Sequence, residues 1–427
     1  MSRKRILAYS IYYYPEVAST AQIYTELFED LADRFDITVV CAVPCYTGSV
    51  PEEYREKRFY HEERGGVRIV RVPVREYSKS DKKSRVLNIV DFWAQARKAT
   101  RELGGGFDLV FTYSQPPILG GMLGAYASRR LRAPLVYGIQ DFNPEQTMAV
   151  NYAGNALVHK AMMALDKRTC RRSSLVIVPG RDLQETLSER FGGRNVPKSA
   201  VINNWTDDEA VVPLPKDHPG VRAFKERYGL AGKFVVMYSG NIGLYYDLEN
   251  LIEVIGSFKG RDDVAFAFVG EGAVKPRLEE YVRENGLSNV SFIPYQPKDE
   301  LVYSLNAADV HLVTNAKGIK GVSCPSKAYG IMAANVPMIG ILEPGSEIWQ
   351  VVEESGCGAL AETGDYEGIR DVLARVLDEK DAFVRAHATG RAYLERGLSR
   401  KSAAERYVRA LEGAVASKID GPSDFFG

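Results

Sequence analysis

Short apolar runs rich in β-branched residues alternate along this chain with segments of helical periodicity. Such alternation is typical of parallel β-sheets built from βα units. The helical period is clearest over residues 247–258, where apolar side chains recur on one face, and we expect the Asp247 carboxylate to cap that helix. The pattern therefore predicts an α/β fold.

The predicted strands form two series, separated by a stretch in which proline and glycine recur. The first series is predicted at 6–9, 37–41, 67–72, 109–112, 135–139, 175–178 and 200–202, and the second at 234–238, 264–269, 290–293, 310–313 and 338–341. We interpret the proline- and glycine-rich residues 206–233 as a linker. The prediction is therefore two facing, doubly wound, Rossmann-like domains, 1–205 and 234–395, with a final segment, 396–427, whose helix crosses back to the first domain.

Composition excludes several classes of function. Lys plus Arg and Asp plus Glu are equal at 55 each, so no overall positive field indicates a nucleic-acid partner. The five cysteines and five histidines are scattered without C-x-x-C or H-x-x-x-H pairs, so we expect no bound metal and a reducing, cytoplasmic environment. No apolar segment approaches the roughly 20 residues of a membrane span, and the N-terminus lacks the apolar core of a signal peptide.

A lysine at a predicted helix start is the strongest candidate for chemistry. In the stretch GVSCPSKAYGIMAANVP, residues 321–337, Pro325 and Ser326 suit the first positions of a helix and Lys327 falls in its first turn. Lysine there is unfavourable against the helix macrodipole, which suggests that an anionic ligand offsets the repulsion. We interpret this segment as a phosphate site. The alternative is a surface lysine on an ordinary βα unit.

Two glycine turns follow neighbouring predicted strands of the second domain. One is residues 239–243, reading SGNIG, and the other is Gly270-Glu271-Gly272. Small residues let backbone N–H groups approach an anion, so a nucleotide diphosphate is the expected ligand, although ordinary tight turns explain either segment alone. No G-x-G-x-x-G lies between a strand and a helix and no P-loop motif occurs, which argues against nicotinamide oxidoreductases and P-loop nucleotidases.

In the first domain, Asp141 follows a predicted buried strand and so lies at the edge of the sheet where ligands bind. We weigh two roles evenly for it: orienting or deprotonating an acceptor hydroxyl, or capping a helix near Pro144. The first loop, residues 12–20, offers tyrosine rings and hydroxyl groups, a combination common where sugars are held and also common in cores.

The segment 79–103 combines a basic start with apolar and tryptophan residues and a basic end. Such a segment can settle in the headgroup layer of a membrane. The alternative is a helix that packs only on its own domain. We therefore expect a cytoplasmic protein, with contact to the inner face of the cell membrane as an open interpretation.

These segments resemble the retaining glycosyltransferases of family four, which have the two-Rossmann GT-B fold and whose bacterial members build surface polysaccharides. The matching stretches are YYYPEVASTAQIYTELFEDLADR, YGIQDFNPEQ, VINNWTD, YSGNIGLYYDLENLIEV, FVGEGAVKPRLE and GVSCPSKAYGIMAANVPMIG. Their order and spacing cover nearly the whole chain. The resemblance implies transfer of a sugar from a nucleotide-sugar donor, with a UDP-sugar as the expected donor, to a glycan or lipid-linked acceptor. It also implies retained configuration and no bound metal.

The resemblance also implies roles for particular residues. It implies that the second domain binds the donor and that the donor-binding residues are Ser239, Gly240, Asn241, Gly243, Gly270, Gly272, Tyr295, Ser326, Lys327 and Glu347. It implies that the first domain binds the acceptor, with Tyr14, Glu16, Ser19 and Thr20 as the binding residues. Asp141 and Lys327 are the predicted catalytic residues, and the departing diphosphate takes the acceptor proton while the protein supplies positioning and charge.

The chain departs from the family pattern at several positions. Val322 and Gly330 stand where many members carry two glutamates, which leaves Glu343 or Glu347 as substitutes. Leu244 and Tyr246 stand where a cationic pair is usual, and Ala18 and Ser19 replace paired glycines. These departures motivate a second hypothesis, a catalytically silent GT-B protein that acts as a binding or activating subunit. A sugar-nucleotide epimerase is a third, but it would need cleft histidines and carboxylates that we do not find.

Overall fold

The protein consists of two α/β domains, and the computed structural model describes residues 3–16, 18–78, 81–149 and 155–417. The first domain contains β1 Lys4–Ser10, α1 Ser19–Leu31, β2 Phe35–Ala42, β3 Tyr60–Arg64, β4 Val67–Val72, α2 Lys82–Leu103, β5 Leu109–Tyr113, α3 Leu119–Leu131, β6 Leu135–Gly138, α4 Glu145–Ala149, α5 Ala156–Arg172, β7 Leu175–Val178, α6 Arg181–Arg190 and β8 Ser199–Val201. Residues 79 and 80 of the predicted basic segment lie outside the described residues, as do residues 418–427 of the predicted final segment.

The second domain and the C-terminal region follow in the same alternating order. Their elements are α7 Pro219–Arg227, β9 Phe234–Ser239, α8 Leu248–Gly256, β10 Val264–Val269, α9 Lys275–Asn285, β11 Val290–Ile293, α10 Leu301–Ala307, β12 Val310–Thr314, α11 Lys327–Ala333, β13 Met338–Leu342, α12 Glu347–Ser355, β14 Gly358–Glu362, α13 Tyr366–Glu379, α14 Asp381–His387, α15 Gly390–Gly397 and α16 Arg400–Ala416.

Each domain is built on one sheet with helices on both faces. The first sheet has the order β3-β4-β2-β1-β5-β6-β7-β8 and the second β11-β10-β9-β12-β13-β14. All pairs are parallel except β3 with β4. Strands covered on both faces read as continuous apolar runs, which is why β9 and β10 could be predicted from sequence. The predicted pair of doubly wound domains is confirmed.

Two strands are missing from the predicted set. Strand β3 is an antiparallel edge strand that reads YHEER, and its charged residues hide it from an apolar search. Strand β14 begins at Gly358, where a β-carbon would lie 1.8 Å from the carbonyl oxygen of Met338. The close approach of two backbones requires a glycine there, and glycine is a weak strand signal.

The predicted cap at Asp247 is wrong. Asp247 does precede α8, but it lies in the left-handed region with φ 54° and its side chain makes no capping hydrogen bond. The carboxylate instead accepts hydrogen bonds from the Asn250 amide, at 2.6 Å, and from the Tyr366 hydroxyl, at 3.0 Å. A tertiary contact with α13 therefore replaces the local cap.

The connection between the domains is more structured than a linker. Helix α7 lies within the predicted linker and packs on α10, and its Val221 and Phe224 are buried. At the C-terminal end, α16 packs on α1, β5 and β6, so that Tyr407 and Leu411 join the core of the first domain. Within the described residues, no helix is both long and apolar enough to cross a membrane.

Candidate functional site

The two glycine turns of the second domain lie against each other at the carboxyl ends of β9 and β10. Gly240 N–H donates to the Val269 carbonyl and Ile242 N–H donates to the Glu271 carbonyl, both at 2.9 Å. A β-carbon at Gly270 would lie 1.9 Å from the Gly240 carbonyl oxygen. Gly270 also has φ +144°, so only glycine fits this position. The predicted turns thus form one surface.

Lys327 is the first residue of α11, and its ammonium group reaches this surface. A β-carbon at Gly240 would lie 3.4 Å from the Lys327 Cε atom and 3.6 Å from its Nζ atom. Nζ also lies 3.8 Å from the ring centre of Tyr238 and 4.2 Å from that of Tyr246. Ring faces attract a cation and therefore hold this ammonium group in place. The structure brings Lys327 together with the glycine turns, as the sequence predicted.

Among the residues that the structure describes, none is a hydrogen-bond partner of the Lys327 ammonium group, although its Nζ atom is buried. Burial lowers the pKa of Lys327 well below its ordinary value of 10.5, because the low-dielectric surroundings disfavour the charged form. A buried cation in a protein is normally paired with an anion. An anion bound beside the glycine-lined backbone at Gly240 could therefore pair with the Lys327 ammonium group.

Other predicted donor residues border this point. Tyr295 follows β11, is 54% exposed, and its ring lies near Gly270, since a β-carbon there would be 3.6 Å from the Tyr295 Cε1 atom. Asn241 lies within the first turn, and its carbonyl accepts a hydrogen bond from the Tyr238 hydroxyl at 2.6 Å. A β-carbon at Gly243 would lie 2.9 Å from the Asn241 Nδ2 atom, and one at Gly272 would lie 2.0 Å from the Ile242 carbonyl oxygen.

The Ser326 and Ser239 positions are also defined. Ser326 precedes α11 in a helical conformation, and its hydroxyl makes no capping hydrogen bond. Ser239 ends β9 and is half-buried at the start of the first turn. Both serines thus lie at the carboxyl edge of the second sheet, beside Gly240 and Lys327.

Asp141 lies in the cleft and touches the second domain directly. It forms an isolated β-bridge with Ser323, and the neighbouring Phe142 N–H donates to the Val322 carbonyl at 2.9 Å. Burial raises the pKa of Asp141 and a hydrogen bond with the Ser323 side chain lowers it, burial being the stronger effect. Its bridge partner Ser323 stands four residues before Lys327 in the chain. Helix α4 begins only at Glu145, so Asp141 is not at the N-cap position of that helix and the helix-cap alternative is wrong.

The residues predicted for the acceptor divide into two groups. The Glu16 carboxylate already accepts hydrogen bonds within the protein, from the backbone N–H groups of Cys45, at 2.5 Å, and Tyr46, at 2.8 Å. Thr20 donates to the Gln115 side chain at 2.9 Å. Ser19 begins α1 and is exposed, and the Tyr14 ring stacks on the guanidinium of Arg64 at 3.7 Å. Glu16 and Thr20 thus shape the loop, and Ser19 keeps an exposed side chain.

The two glutamates considered as substitutes for the family pair are already engaged. Glu347 is buried and accepts the N–H of Arg181 at 2.6 Å and its guanidinium at 3.0 Å. Glu343 accepts the N–H groups of Gly318 and Lys320, each at 2.9 Å. Glu347 thus joins the domains and Glu343 holds the loop that leads to α11. The structure does not bring either carboxylate to the free Lys327 ammonium group.

Sequence reasoning missed the contacts that hold the cleft together. Asp182 at the start of α6 accepts the Gly321 N–H at 2.9 Å, and Arg181 pairs with Glu347 and, at 2.5 Å, with Glu354. It also missed the contact of the Lys327 ammonium group with two tyrosine rings. From the sequence, Tyr246 stood out only because it replaces a cationic residue of the family pattern. Asp182 and Gly321 are too far apart in the chain for any local pattern to reveal their contact.

The fold and this cleft define a two-domain transferase of the GT-B type, and comparisons with known proteins agree. Residues 20–205 match the family described as "Glycosyl transferase 4-like domain", and residues 221–392 match "Glycosyl transferases group 1". The chain belongs to the family-four glycosyltransferases and is an enzyme of class EC 2.4. Among the described residues, no group of three or more His, Cys, Asp or Glu is arranged to hold a metal ion.

Two curated proteins are similar to this chain. A probable glycosyltransferase of Pseudomonas aeruginosa, WbjE, is 33% identical over 206 residues, which is 48% of this chain and about half, 48%, of that protein's length. A putative colanic acid biosynthesis glycosyl transferase of Escherichia coli K12, WcaI, is 26% identical and matches across 96% of this chain and 100% of its own length.

Solved structures share the fold. A sucrose-phosphate synthase from Thermosynechococcus elongatus superposes with a TM-score of 0.78 at 16% identity, covering 97% of this chain and 100% of that one. The Anabaena protein HepE, solved in complex with UDP and glucose, has a TM-score of 0.70 at 15% identity over 96% of this chain and 100% of its own. At these identities the likeness establishes the fold alone.

Proposed function

We propose that this glycosyltransferase moves a sugar from a UDP-sugar to a glycan or lipid-linked acceptor, with retained configuration, in the synthesis of a surface polysaccharide. The observation that carries the proposal is the buried, unpaired Lys327 ammonium group beside the glycine turns. The name of one curated relative, WcaI, which refers to colanic acid biosynthesis, supports the polysaccharide, and the UDP complex of HepE supports the donor.

In this proposal the donor diphosphate lies between Gly240 and Lys327. The turns leave room for phosphate oxygens because they lack β-carbons, and the ammonium group supplies the positive charge. Charge that develops on the departing diphosphate is then stabilised by a group already in position, which is an efficient form of catalysis. The base lies towards Tyr295, at the open edge of the second sheet.

Asp141 orients the acceptor in this proposal. It is a first-domain carboxylate that lies next to the segment leading into α11, through its bridge with Ser323. The C–O bond between the sugar and the diphosphate breaks, the acceptor oxygen bonds to the same face of the anomeric carbon, and the acceptor proton passes to the departing diphosphate. This assignment requires no bound metal, and we expect transfer to continue in the presence of EDTA.

The acceptor would be reached from the cytoplasmic face of the membrane through the segment 79–103. In the structure this segment consists mainly of α2, and the Asp81 side chain caps the N-terminus of this helix. Val86 and Val90 are 58% and 44% exposed on it, beside the exposed Lys82 and Lys83. Exposed apolar residues next to lysines suit a headgroup layer.

The test of the donor site is Lys327→Ala, with Lys317→Ala as its matched control. Lys317 is an exposed lysine on the segment leading to α11. We expect Lys327→Ala to lower the rate of sugar transfer by at least about 10²-fold, with the circular dichroism spectrum and melting temperature retained. Lys317→Ala should transfer at the wild-type rate. Full activity of Lys327→Ala would reject the assignment.

The second candidate, a silent binding subunit, is favoured by Val322 and Gly330, which stand where many family members carry glutamates. Calorimetric titration with UDP separates the two candidates, and absence of binding up to about 1 mM would favour the silent subunit. A thermal-shift panel of UDP-, GDP- and dTDP-sugars would then identify the donor, since ligands that bind the native state raise its melting temperature.

A further inference from the structure

Helix α5 of the first domain buries mainly polar side chains and exposes large apolar ones. The residues that it buries are Asp166, Thr169 and Cys170. Its outer surface instead carries Leu157, Val158 and Leu165, which are 73%, 52% and 39% exposed. A helix on the surface of a globular protein normally turns its apolar stripe inwards. Three large apolar residues on the outside of one helix therefore indicate a covering partner.

The polar inner face of α5 has a structural explanation, but its outer face does not. Asp166 accepts the Tyr137 hydroxyl at 2.7 Å and pairs with Arg190 at 2.5 Å, so the inner position requires a carboxylate. No such requirement acts on Leu157 or Leu165, and neither leucine belongs to a hydrophobic core cluster of the described residues.

Basic residues continue the same outer stripe. Arg168 and Arg172 lie three and seven residues after Leu165, which puts all three on one side of the helix. Arg172 also lines a cavity of about 370 Å³ with Arg129 and Arg132 from the end of α3. Burial lowers the pKa of Arg172 and the nearby Arg129 and Arg168 lower it further, which shows that like charges crowd together here.

The charge of this side of the domain is strongly positive. Helices α2, α3 and α5 lie side by side, α3 packing against both others. Every residue of these three helices is described, and their acidic residues each pair with an arginine: Asp91 with Arg75, Glu102 with Arg58 and Asp166 with Arg190. The chain as a whole has a formal net charge of zero. Positive charge is thus concentrated on this face.

We infer that the outer faces of α5 and the end of α3 dock on an anionic lipid bilayer, with Leu157 and Leu165 entering the headgroup layer and the cavity of Arg129, Arg132 and Arg172 receiving a lipid phosphate. Apolar residues flanked by cations are the chemistry of an interfacial helix. The inference extends the membrane contact proposed above from α2 to a face three helices wide, and that contact rests on the proposed function.

The test is co-sedimentation of the full chain with vesicles of phosphatidylglycerol and phosphatidylcholine, and with vesicles of phosphatidylcholine alone. We expect binding to the anionic vesicles only. The double variant Arg168→Glu/Arg172→Glu should weaken that binding by at least about tenfold, since each basic residue near an anionic surface contributes favourably. Leu157→Ser/Leu165→Ser should also weaken it, because it removes the apolar contact.

The matched control is Arg375→Glu/Arg396→Glu, which makes the same change in net charge at exposed positions of the second domain. It should bind vesicles far better than Arg168→Glu/Arg172→Glu. UDP affinity should be unchanged in all of these variants, so loss of UDP binding would speak against the donor site and not against this surface.

Three outcomes would overturn the inference. If both α5 variants bind vesicles as well as the wild-type chain does, the membrane contact belongs to α2 alone. If the control Arg375→Glu/Arg396→Glu loses as much vesicle binding as Arg168→Glu/Arg172→Glu, the effect reflects only the net charge of the chain. A dimer of the wild-type chain in sedimentation velocity that dissociates in Leu157→Ser/Leu165→Ser would show that a second copy of the chain covers α5.

Discussion

Two buried cations in this protein have opposite surroundings. The Arg190 side chain is 3% exposed, pairs with Asp166 and Glu145, and donates to the Asn143 carbonyl at 3.0 Å. The Lys327 ammonium group is also buried and lies against the rings of Tyr238 and Tyr246, but it has no hydrogen-bond partner among the described residues. The first cation completes a closed network, whereas the second has no carboxylate paired with it in the described part of the chain.

The paired Arg190 has a structural role, whereas we propose a functional role for the unpaired Lys327. Arg190 ties α6 to α4 and α5, and its guanidinium stacks on Phe142 at 4.2 Å, directly beside Asp141. It therefore supports the segment that presents Asp141. An unpaired buried charge lowers stability and is retained only where something else offsets its desolvation. At Lys327 we propose that the donor diphosphate does so.

The largest expected effect is on stability at Arg190. Arg190→Met leaves the buried Asp166 without its cation, and we expect it to lower the free energy of unfolding by about 3–5 kcal/mol. Lys327→Met removes an unpaired charge, so the free energy of unfolding should stay the same or rise. Urea denaturation of the two variants measures both values. Equal destabilisation would remove the distinction between the two cations.

A smaller effect is expected at the glycine turns. Gly270→Ala drives a β-carbon against the Gly240 carbonyl, and we expect it to cost about 1–3 kcal/mol of stability and to weaken UDP binding. Gly413→Ala is the control, since a β-carbon there meets nothing within 4 Å in α16, and it should be neutral or slightly stabilising. Calorimetry with UDP and thermal melting of both variants test this. Wild-type UDP affinity in Gly270→Ala would place the diphosphate elsewhere.

The smallest expected signal is proton uptake on UDP binding. Burial lowers the pKa of Lys327 in the free protein, and a diphosphate beside it should raise that pKa again. At any pH between these two values, binding should therefore take up to about one proton from the buffer. Titrations in two buffers of different ionisation enthalpy measure the uptake, and Lys327→Met should show none. Proton release on binding would contradict the assigned sign.

The same pKa shift affects the stability of the free protein. The unfolded chain holds the Lys327 proton up to its ordinary pKa of 10.5, whereas the folded chain loses it at a lower pH. Between these values the unfolded state binds more protons, so this lysine makes the free energy of unfolding rise with pH. A wild-type pH slope equal to that of Lys327→Met would show that Lys327 is not buried in solution.

Much of the fold could be predicted because its signals are local. The apolar runs of β9, β10 and β12 are buried on both faces, and the periodicity of α8 falls on one side of the helix. Strand β3 escaped because its residues are charged. The Asp247 cap failed because Tyr366, from a distant part of the chain, competes for the same carboxylate.

The sequence by itself determined where the glycine turns and Lys327 stand relative to the strands, because strand order and the carboxyl edge of a parallel sheet follow from the βα alternation. Only the tertiary structure decided which charges are free. Glu347 is taken by Arg181 of the other domain, Asp141 pairs with Ser323 across the cleft, and two tyrosine rings enclose the Lys327 ammonium group. Burial and pairing depend on residues that are distant in the chain and meet only in the folded protein, within the second domain for Lys327 and across the cleft for Glu347 and Asp141. A local sequence pattern carries no information about such contacts.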